Sequence, residues 1–415
     1  MKIKNILLLA AVLAMTACSN QENVESTPTP PHQSVSDIRS YAEALKIAQE
    51  AIPMLNDGTT TRSESSYNRK IDISKKEVIK IDAKTRANSS INDTIIYVFN
   101  FENNEGFALV SASKNTEGLL AITEKGHCDP STRSNVCGFD LFLDMAKEYV
   151  ANSKSRDLID YKDSVVSSYD YVGPYVTVRW GQQYPEGEFC PNGIAGCTNT
   201  AMAQIMTKFQ YPSSINLTYP GRDKSSQTLN WSAMKLHSTG HAVSSCSDTT
   251  THTSIGRLHR QLGELNCSIY NLNGGTGTYT YDFSKATFET LGYNCGNWGV
   301  YSGASTRSQL NNGHIYLMGG YVSFTEGHSW VFDGYLTKTE THYEMINNGS
   351  GWVPTGEIHN RTYYYNHFNW GWYGNSNGYF SENVYNTSQA TYWDTLSHNT
   401  NFNFNLNICL LSVYH

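Results

Sequence analysis

The run Gly193-Ile194-Ala195-Gly196-Cys197-Thr198-Asn199-Thr200-Ala201-Met202-Ala203-Gln204-Ile205-Met206-Thr207-Lys208-Phe209 constrains this chain more than any other. Met202, Ile205, Met206 and Phe209 recur at i, i+3, i+4 and i+7, which is one apolar face of a helix. Tyr211-Pro212 stops that helix, because proline disfavours helical geometry in the residue before it. Cys197 therefore stands at or just before a helix N-terminus, ahead of the apolar stripe. There the unpaired N–H groups and the positive end of the dipole stabilise a thiolate. Gly196 keeps the cysteine approachable and lets backbone pass close to a bound substrate. Taken alone, the run admits two readings: a catalytic nucleophile, or a structural thiol or half-cystine.

The N-terminus reads as an export signal. Lys2 and Lys4 precede an apolar stretch from Ile6 to Ala14, and Met15-Thr16-Ala17 places small residues before Cys18. This is the pattern of a bacterial lipoprotein signal over 1–18, with Cys18 as the lipidated residue, and its alternative is an ordinary cleaved secretory signal. No later apolar run approaches the ~20 residues that span a bilayer. A formal net charge of −7 gives no basic footprint for nucleic acid. Besides Cys18 and Cys197 there are cysteines at 128, 137, 190, 246, 267, 295 and 409, whose pairing sequence alone does not settle. No CxxC pair or His/Cys cluster has zinc spacing, so neither a metal nor any other cofactor is expected.

Residues 19–35, with Thr-Pro-Thr-Pro-Pro, form a polar tether. Tyr41, Leu45, Ala48, Ile52 and Leu55 predict an amphipathic helix over 37–55. Thr94–Phe101 and Phe107–Ala112 flank the turn residues Asn103-Asn104-Glu105-Gly106 and predict a hairpin. Leu119–Ile122 continues its sheet, and Phe139–Val150 is a second amphipathic helix. Residues 36–155 thus form a small α+β domain without a catalytic constellation. Residues 156–170 read as an exposed linker and processing region, and 171–415 as a second domain richer in Trp, Gly and Tyr. An early helix followed mainly by strands gives an α+β class, with the Cys197 helix packed against an antiparallel sheet.

A cysteine nucleophile needs a base, and the base needs an orienter. Of the 13 histidines, His328 opens the β-rich run Gly327-His328-Ser329-Trp330-Val331-Phe332-Asp333-Gly334 and is placed at a strand start. In His367-Phe368-Asn369-Trp370-Gly371-Trp372, Asn369 can accept a hydrogen bond from an imidazole N–H and Trp370 can shield it from water. Separately, each has an ordinary structural reading, as a satisfied polar residue or an aromatic hairpin. Their order Cys197, His328, Asn369 matches the Cys…His…Asn order of papain-like peptidases.

With Trp180-Gly181-Gln182, Gly196-Cys197 through Ala201-Met202-Ala203-Gln204-Ile205-Met206 to Tyr211-Pro212, Gly327-His328 to Asp333-Gly334, and Asn369-Trp370-Gly371-Trp372, the chain resembles the streptopain family of papain-like cysteine peptidases. Glu105-Gly106-Phe107-Ala108-Leu109-Val110-Ser111-Ala112 is similar to that family's prodomain. The resemblance covers roughly residues 36–415. It implies a papain-like fold behind an inhibitory prodomain at 36–155, with Cys197 as nucleophile and His328 as base and acid. Asn369 and Trp370 would orient and shield the imidazole, and Gln182 would help stabilise the oxyanion. Tyr270 to Gly277 resembles the family's substrate-pocket loop, which implies that Thr276 and Gly327 contact substrate backbone. The implied partners are protein or peptide substrates, the chain's own prodomain as intramolecular inhibitor, and the membrane through the lipid anchor. The enzyme would be extracytoplasmic, lipid-anchored or released by processing. Thr198-Asn199-Thr200 departs from the family's small apolar residues, and a turn-rich insertion is expected around 347–360. The alternatives are another Cys/His hydrolase, such as a cell-wall amidase or transglutaminase-like enzyme, or a non-enzymatic binding lipoprotein.

Overall fold

The computed structural model describes residues 37–55, 69–80, 94–132, 137–151, 153, 164–221, 225–237, 249–272, 274–321, 327–347, 350–384 and 408–415. The signal with Cys18 and the 19–35 tether lie outside the described residues, as do Cys246 and residues 156–163. The first helix, α1 (Tyr41–Ala51), starts on a reciprocal cap: Glu43 N–H donates to Ser40 Oγ while the Glu43 carboxylate accepts from Ser40 N–H. Strands β1 (Glu77–Lys80), β2 (Thr94–Asn100), β3 (Phe107–Ser111) and β4 (Leu119–Thr123) then form an antiparallel meander.

Period-2 alternation gives this meander two buried faces. Tyr97, Phe99, Ala108 and Val110 pack with α1, whereas Ile96, Val98, Phe107 and Leu109 pack with α2 (Cys137–Ala151). The remaining elements are β5 (Ser164–Val172), α3 (Cys197–Phe209), β6 (Ser214–Leu217), β7 (Ser225–Thr228), α4 (Trp231–Leu236) and α5 (Thr249–Leu265). They continue with β8 (Ile269–Leu272), β9 (Gly275–Gly277), α6 (Thr280–Thr290), β10 (Asn294–Cys295), α7 (Gly303–Asn311) and β11 (Ile315–Tyr321). The last are β12 (Gly327–Asn347), β13 (Trp352–Asn369), β14 (Gly378–Ser381) and β15 (Ile408–Tyr414).

One sheet runs through both parts of the chain, in the order β1-β2-β3-β4-β14-β13-β12-β11-β15-β10. The join is β4 against β14, with Thr123 opposite Gly378 and Ala121 opposite Phe380. Two expectations change here. The end of the presumed linker, 164–170, lies in β5 (Ser164–Val172), which pairs with residues 335–343 of β12. The presumed turn-rich insertion is a β arm in which β12 and β13 stay paired, with one register shift between Tyr343 and Met345, out to Asn347 and Trp352. Its Thr and Tyr residues suit extended backbone even where both faces are half exposed.

The alternation along β11 and β12 decides what each face of the sheet meets. Leu317 and Val331 join Met202, Ile205 and Met206 of α3 in one core, whereas Tyr316, Met318, Trp330 and Phe332 join Phe139, Phe142 and Met145 of α2 in another. The two helices therefore cover opposite faces. Polar groups also cross the join. Glu124, just after β4, lies 3.3 Å from Arg179 and 3.4 Å from His367 Nε2, while His367 Nδ1 is 2.6 Å from Asp333. Burial alone would lower the His367 pKa, but Asp333 and Glu124 together outweigh it and hold the imidazole at about 9.

Gly378 sits where the two parts meet, and a Cβ there would clash with the Ile122 carbonyl oxygen and Thr123 Cα. Gly378→Ala is expected to loosen the β4–β14 join. Limited proteolysis should then cut within residues 37–151 several times faster than in the parent chain, and the melting temperature should fall. Unchanged proteolysis would mean that the join carries little of the cohesion.

Candidate active site

Helix α3 begins where the sequence places it. Gly196 at its N-cap has φ 90°, a conformation that glycine adopts without strain. The helix ends at Gln210, whose left-handed φ of 51° lets its N–H donate to the Met206 carbonyl at 2.9 Å. Thr198 to Thr207 are all buried, so the helix is enclosed on every side rather than amphipathic. Cys197 alone at its start is partly exposed. Cys128, Cys190, Cys197, Cys267, Cys295 and Cys409 are free thiols.

His328 opens β12 beside Cys197 and is 4 % exposed. Burial would raise the Cys197 thiol, but the charge of His328 and a hydrogen bond to it outweigh that. The Ser329 N–H and the Thr198 hydroxyl add to the effect, and the thiol falls to about 7. Two other buried histidines have different employment. His259 is held down to about 4 by burial against a single backbone carbonyl, and His367 is tied to Asp333 and Glu124.

The ring contact expected of Asn369 is made by its neighbour. His328 Nε2 lies 2.9 Å from the Trp370 carbonyl. Asn369 Oδ1 instead accepts from Gln204 Nε2 at 3.1 Å and Gly371 N–H at 3.2 Å, and its Nδ2 donates to the Val178 carbonyl at 2.8 Å. Asn369 thus fixes the turn that presents the Trp370 carbonyl to the ring. The Trp370 indole is buried between Trp330, Phe368 and Phe380, with ring centroids 5.1–5.3 Å away. Gly138 of α2 lies against His328 and Trp370 together; a Cβ there would stand 2.5 Å from an atom of each ring.

Gln182 is buried, and its carbonyl accepts from Ala195 N–H at 2.7 Å, which brings its segment to the loop entering α3. Thr276 packs its methyl group against Gly196, and its hydroxyl donates to the Ile194 carbonyl at 2.8 Å. Gly327 is exposed at the head of β12. The structure thus gathers Cys197, His328, Asn369 and Trp370, brings Gln182 and Thr276 to the nucleophile's loop, and leaves Gly327 at the rim. Sequence reasoning missed Glu186, which no periodicity marks. Its Oε1 accepts from Gly181 N–H at 3.1 Å, Oε2 is buried without a partner, and burial pushes the carboxyl up to about 8. Among the described residues, no cluster of three or more His, Cys, Asp or Glu side chains could hold a metal ion.

A cysteine at a helix N-terminus, a histidine on the facing strand and an Asn-Trp turn behind it, preceded by an α+β segment whose strands continue the same sheet, define a papain-like cysteine peptidase with a prodomain. Residues 180–380 match the Peptidase C10 family and residues 32–150 match the Spi protease inhibitor. The chain belongs to the Peptidase C10 family, with a Spi-type inhibitor domain ahead of the peptidase. The thiol protease/hemagglutinin PrtT of Porphyromonas gingivalis is 23% identical over 376 residues, spanning 81% of this chain and 40% of that protein. Streptopain of Streptococcus pyogenes is 24% identical over 350 residues, spanning 75% of this chain and 79% of that protein. A solved fragment of Prevotella intermedia prointerpain A has a TM-score of 0.51 at 20% identity, covers 81% of this chain and 98% of that one, and shares the fold.

Glu186 makes a pH test of the loop beside Gln182. Its folded-state pKa lies above its ordinary value, so its contribution to stability is complete below about 4.5 and is lost as the pH rises through about 8. Glu186→Gln is uncharged throughout, and its stability relative to the parent should climb across that window in denaturant titrations. A constant gap would show that Glu186 does not hold its proton there.

Proposed function

We propose that this chain is a cysteine endopeptidase made as a zymogen, and that it cleaves protein or peptide substrates through a thiol ester. The observation that carries the reading is the depressed Cys197 thiol at a helix N-terminus beside His328. In this reading the Cys197 thiolate attacks the scissile carbonyl carbon. The resulting oxyanion takes hydrogen bonds from the Cys197 N–H and the Gln182 side-chain amide. Imidazolium His328 gives its proton to the leaving amine, and the acyl group stays on Cys197. Water then attacks the thiol ester while His328 accepts a proton from it, and the C–S bond breaks to release the acid and restore the Cys197 thiolate beside imidazolium His328.

The Trp370 carbonyl holds the ring through an uncharged acceptor, Asn369 holds that carbonyl, and the Trp370 indole keeps water from the pair. Thr276 and Gly327 are assigned to substrate backbone. Residues 36–155 act as the inhibitory prodomain, 156–170 as the processing region and 171–415 as the peptidase. Contact of α2 with His328 and Trp370 supports that division. The signal at 1–18 would export the chain and Cys18 would carry the lipid, so that cleavage frees the peptidase while the prodomain stays at the membrane. Among the described residues no helix is long and apolar enough to cross a membrane.

Two experiments test this. Cys197→Ala should abolish casein hydrolysis and leave the full-length precursor uncut, while the parent trims itself in the presence of a thiol reductant. Hydrolysis by the alanine variant at the parent's rate would end the reading. Gly138→Leu should wedge α2 away from His328 and shorten the lag before self-processing several-fold, read by gel densitometry. An unchanged lag would remove α2 from the account of latency.

A further inference from the structure

Three polar side chains follow the nucleophile, and all three are buried. Such groups destabilise a fold unless hydrogen-bonded. Asn199 Nδ2 donates to the Ala195 carbonyl at 2.8 Å and to Ser268 Oγ at 2.9 Å, and its Oδ1 accepts from Asn266 at 2.9 Å. Thr200 donates to the Gly181 carbonyl at 3.1 Å. These two tie α3 to its surroundings. Thr198 is different, because its partners are hydroxyls. Its Oγ1 lies 2.7 Å from Thr280 Oγ1 and 3.0 Å from Ser329 Oγ, which are themselves 3.1 Å apart. Thr198 directly follows Cys197 and Ser329 directly follows His328, so the cluster joins the backbones of both.

Counting protons shows what the cluster can do. Three hydroxyls carry three protons. Thr280 Oγ1 has the Thr278 carbonyl at 3.4 Å and Thr198 Oγ1 at 2.7 Å, and it donates to the nearer Thr198. Ser329 also donates to Thr198, at 3.0 Å, so both lone pairs of that oxygen are taken. The Thr198 proton is left over, within reach of the Cys197 sulfur. We propose that Thr198 donates a hydrogen bond to the ionised Cys197 sulfur, with Thr280 and Ser329 holding its hydroxyl in place. No covalent bond changes at Thr198: the thiol proton passes to His328, and the Thr198 hydroxyl proton points to the sulfur while its oxygen stays bonded to the cluster. This rests on the reading of Cys197 and His328 as the catalytic pair.

Of the groups around that sulfur, His328 from β12 alone is charged; the Ser329 N–H and the Thr198 hydroxyl are neutral donors. Thr198→Val removes the donor at nearly constant shape. It leaves Thr280 and Ser329 bonded to each other and to the Thr278 carbonyl, so no buried group is orphaned. The test follows Cys197 alkylation by iodoacetamide against pH in the full chain, read by mass spectrometry of the Cys197 peptide. Thr198→Val should raise the alkylation midpoint by about one pH unit, the scale of one hydrogen bond to a charged group. The acid limb of casein hydrolysis should move with it, through kcat with KM unchanged, and Thr198→Ser should restore both.

An unchanged midpoint in a Thr198→Val chain that melts like the parent overturns the proposal. If that variant does not fold, Ser329→Ala keeps the backbone N–H but removes a hydroxyl that holds Thr198. Alkylation at pH 6 should then be about threefold slower, and an unchanged rate also overturns it. Alkylation needs no hydrolysis, so failure here is distinct from failure of the peptidase reading, which casein hydrolysis by Cys197→Ala would report.

Discussion

The packing of α3 across β11 and β12 is the contact on which the rest depends. Met202, Ile205 and Met206 close against Leu317, Val331 and Leu411, so the helix axis is held by apolar contact along its length. Its first N–H groups have no partners within the helix and must meet something polar. They emerge at the loop shared by Gly196, Gln182 and Thr276, where glycine rather than a capping side chain occupies the N-cap. A thiol placed there benefits from the helix end without a cap competing for it. The register of β12 then decides which group meets it. Ser329 faces α3, and His328, one residue earlier, lies at the strand head beside the sulfur.

The same alternation makes the prodomain part of the peptidase core. Trp330, Phe332, Phe368 and Phe380 face away from α3 and are covered by Phe139, Phe142 and Met145 of α2. Phe142 and Phe380 stand 4.8 Å apart, edge to face. Each aromatic ring in such a layer buries about 150–250 Å², worth several kcal/mol together at about 25 cal/mol per Å². The β4–β14 pairing and the Glu124–Arg179–His367 contacts close the same interface by hydrogen bonding and charge. A cover held by three kinds of interaction is a folding partner as well as an inhibitor. Losing it exposes an apolar sheet face as well as a cleft.

Local patterns were readable and long-range pairings were not. The helix after Cys197, the β2–β3 hairpin and α1 follow from spacing and capping within a dozen residues, and each stands close to its expected place. Residues 164–170 read as a polar linker because their Ser, Val and Tyr side chains reveal nothing about β12, some 170 residues later, to which they bond. The arm of β12 and β13 likewise depends on a partner strand rather than on a buried face. In the site, residue order singled out Cys197, His328 and Asn369. Which atom holds the imidazole turns on a displacement of one residue, from the Asn369 side chain to the Trp370 carbonyl, and no pattern of residue types encodes that. Glu186 escaped for a related reason, since its burial comes from the closing of the loop around it.

The distribution of charge shows why one histidine serves the thiol. Buried charges elsewhere are paired or suppressed: His367 sits between two carboxylates, His259 stays neutral, and Glu186 keeps its proton near neutrality. Around the Cys197 sulfur the remaining donors are uncharged, an N–H and a hydroxyl, while a carbonyl faces the far nitrogen of His328. In a poorly screened site a carboxylate behind the ring would add its own long-range field to the pair. A carbonyl orients the ring through a short-range dipole instead. The thiolate is therefore balanced mainly by the His328 charge and finely by nearby donors, so small neutral changes at Thr198 or Ser329 reach the nucleophile directly, whereas the charged network at the β4–β14 join is already internally compensated.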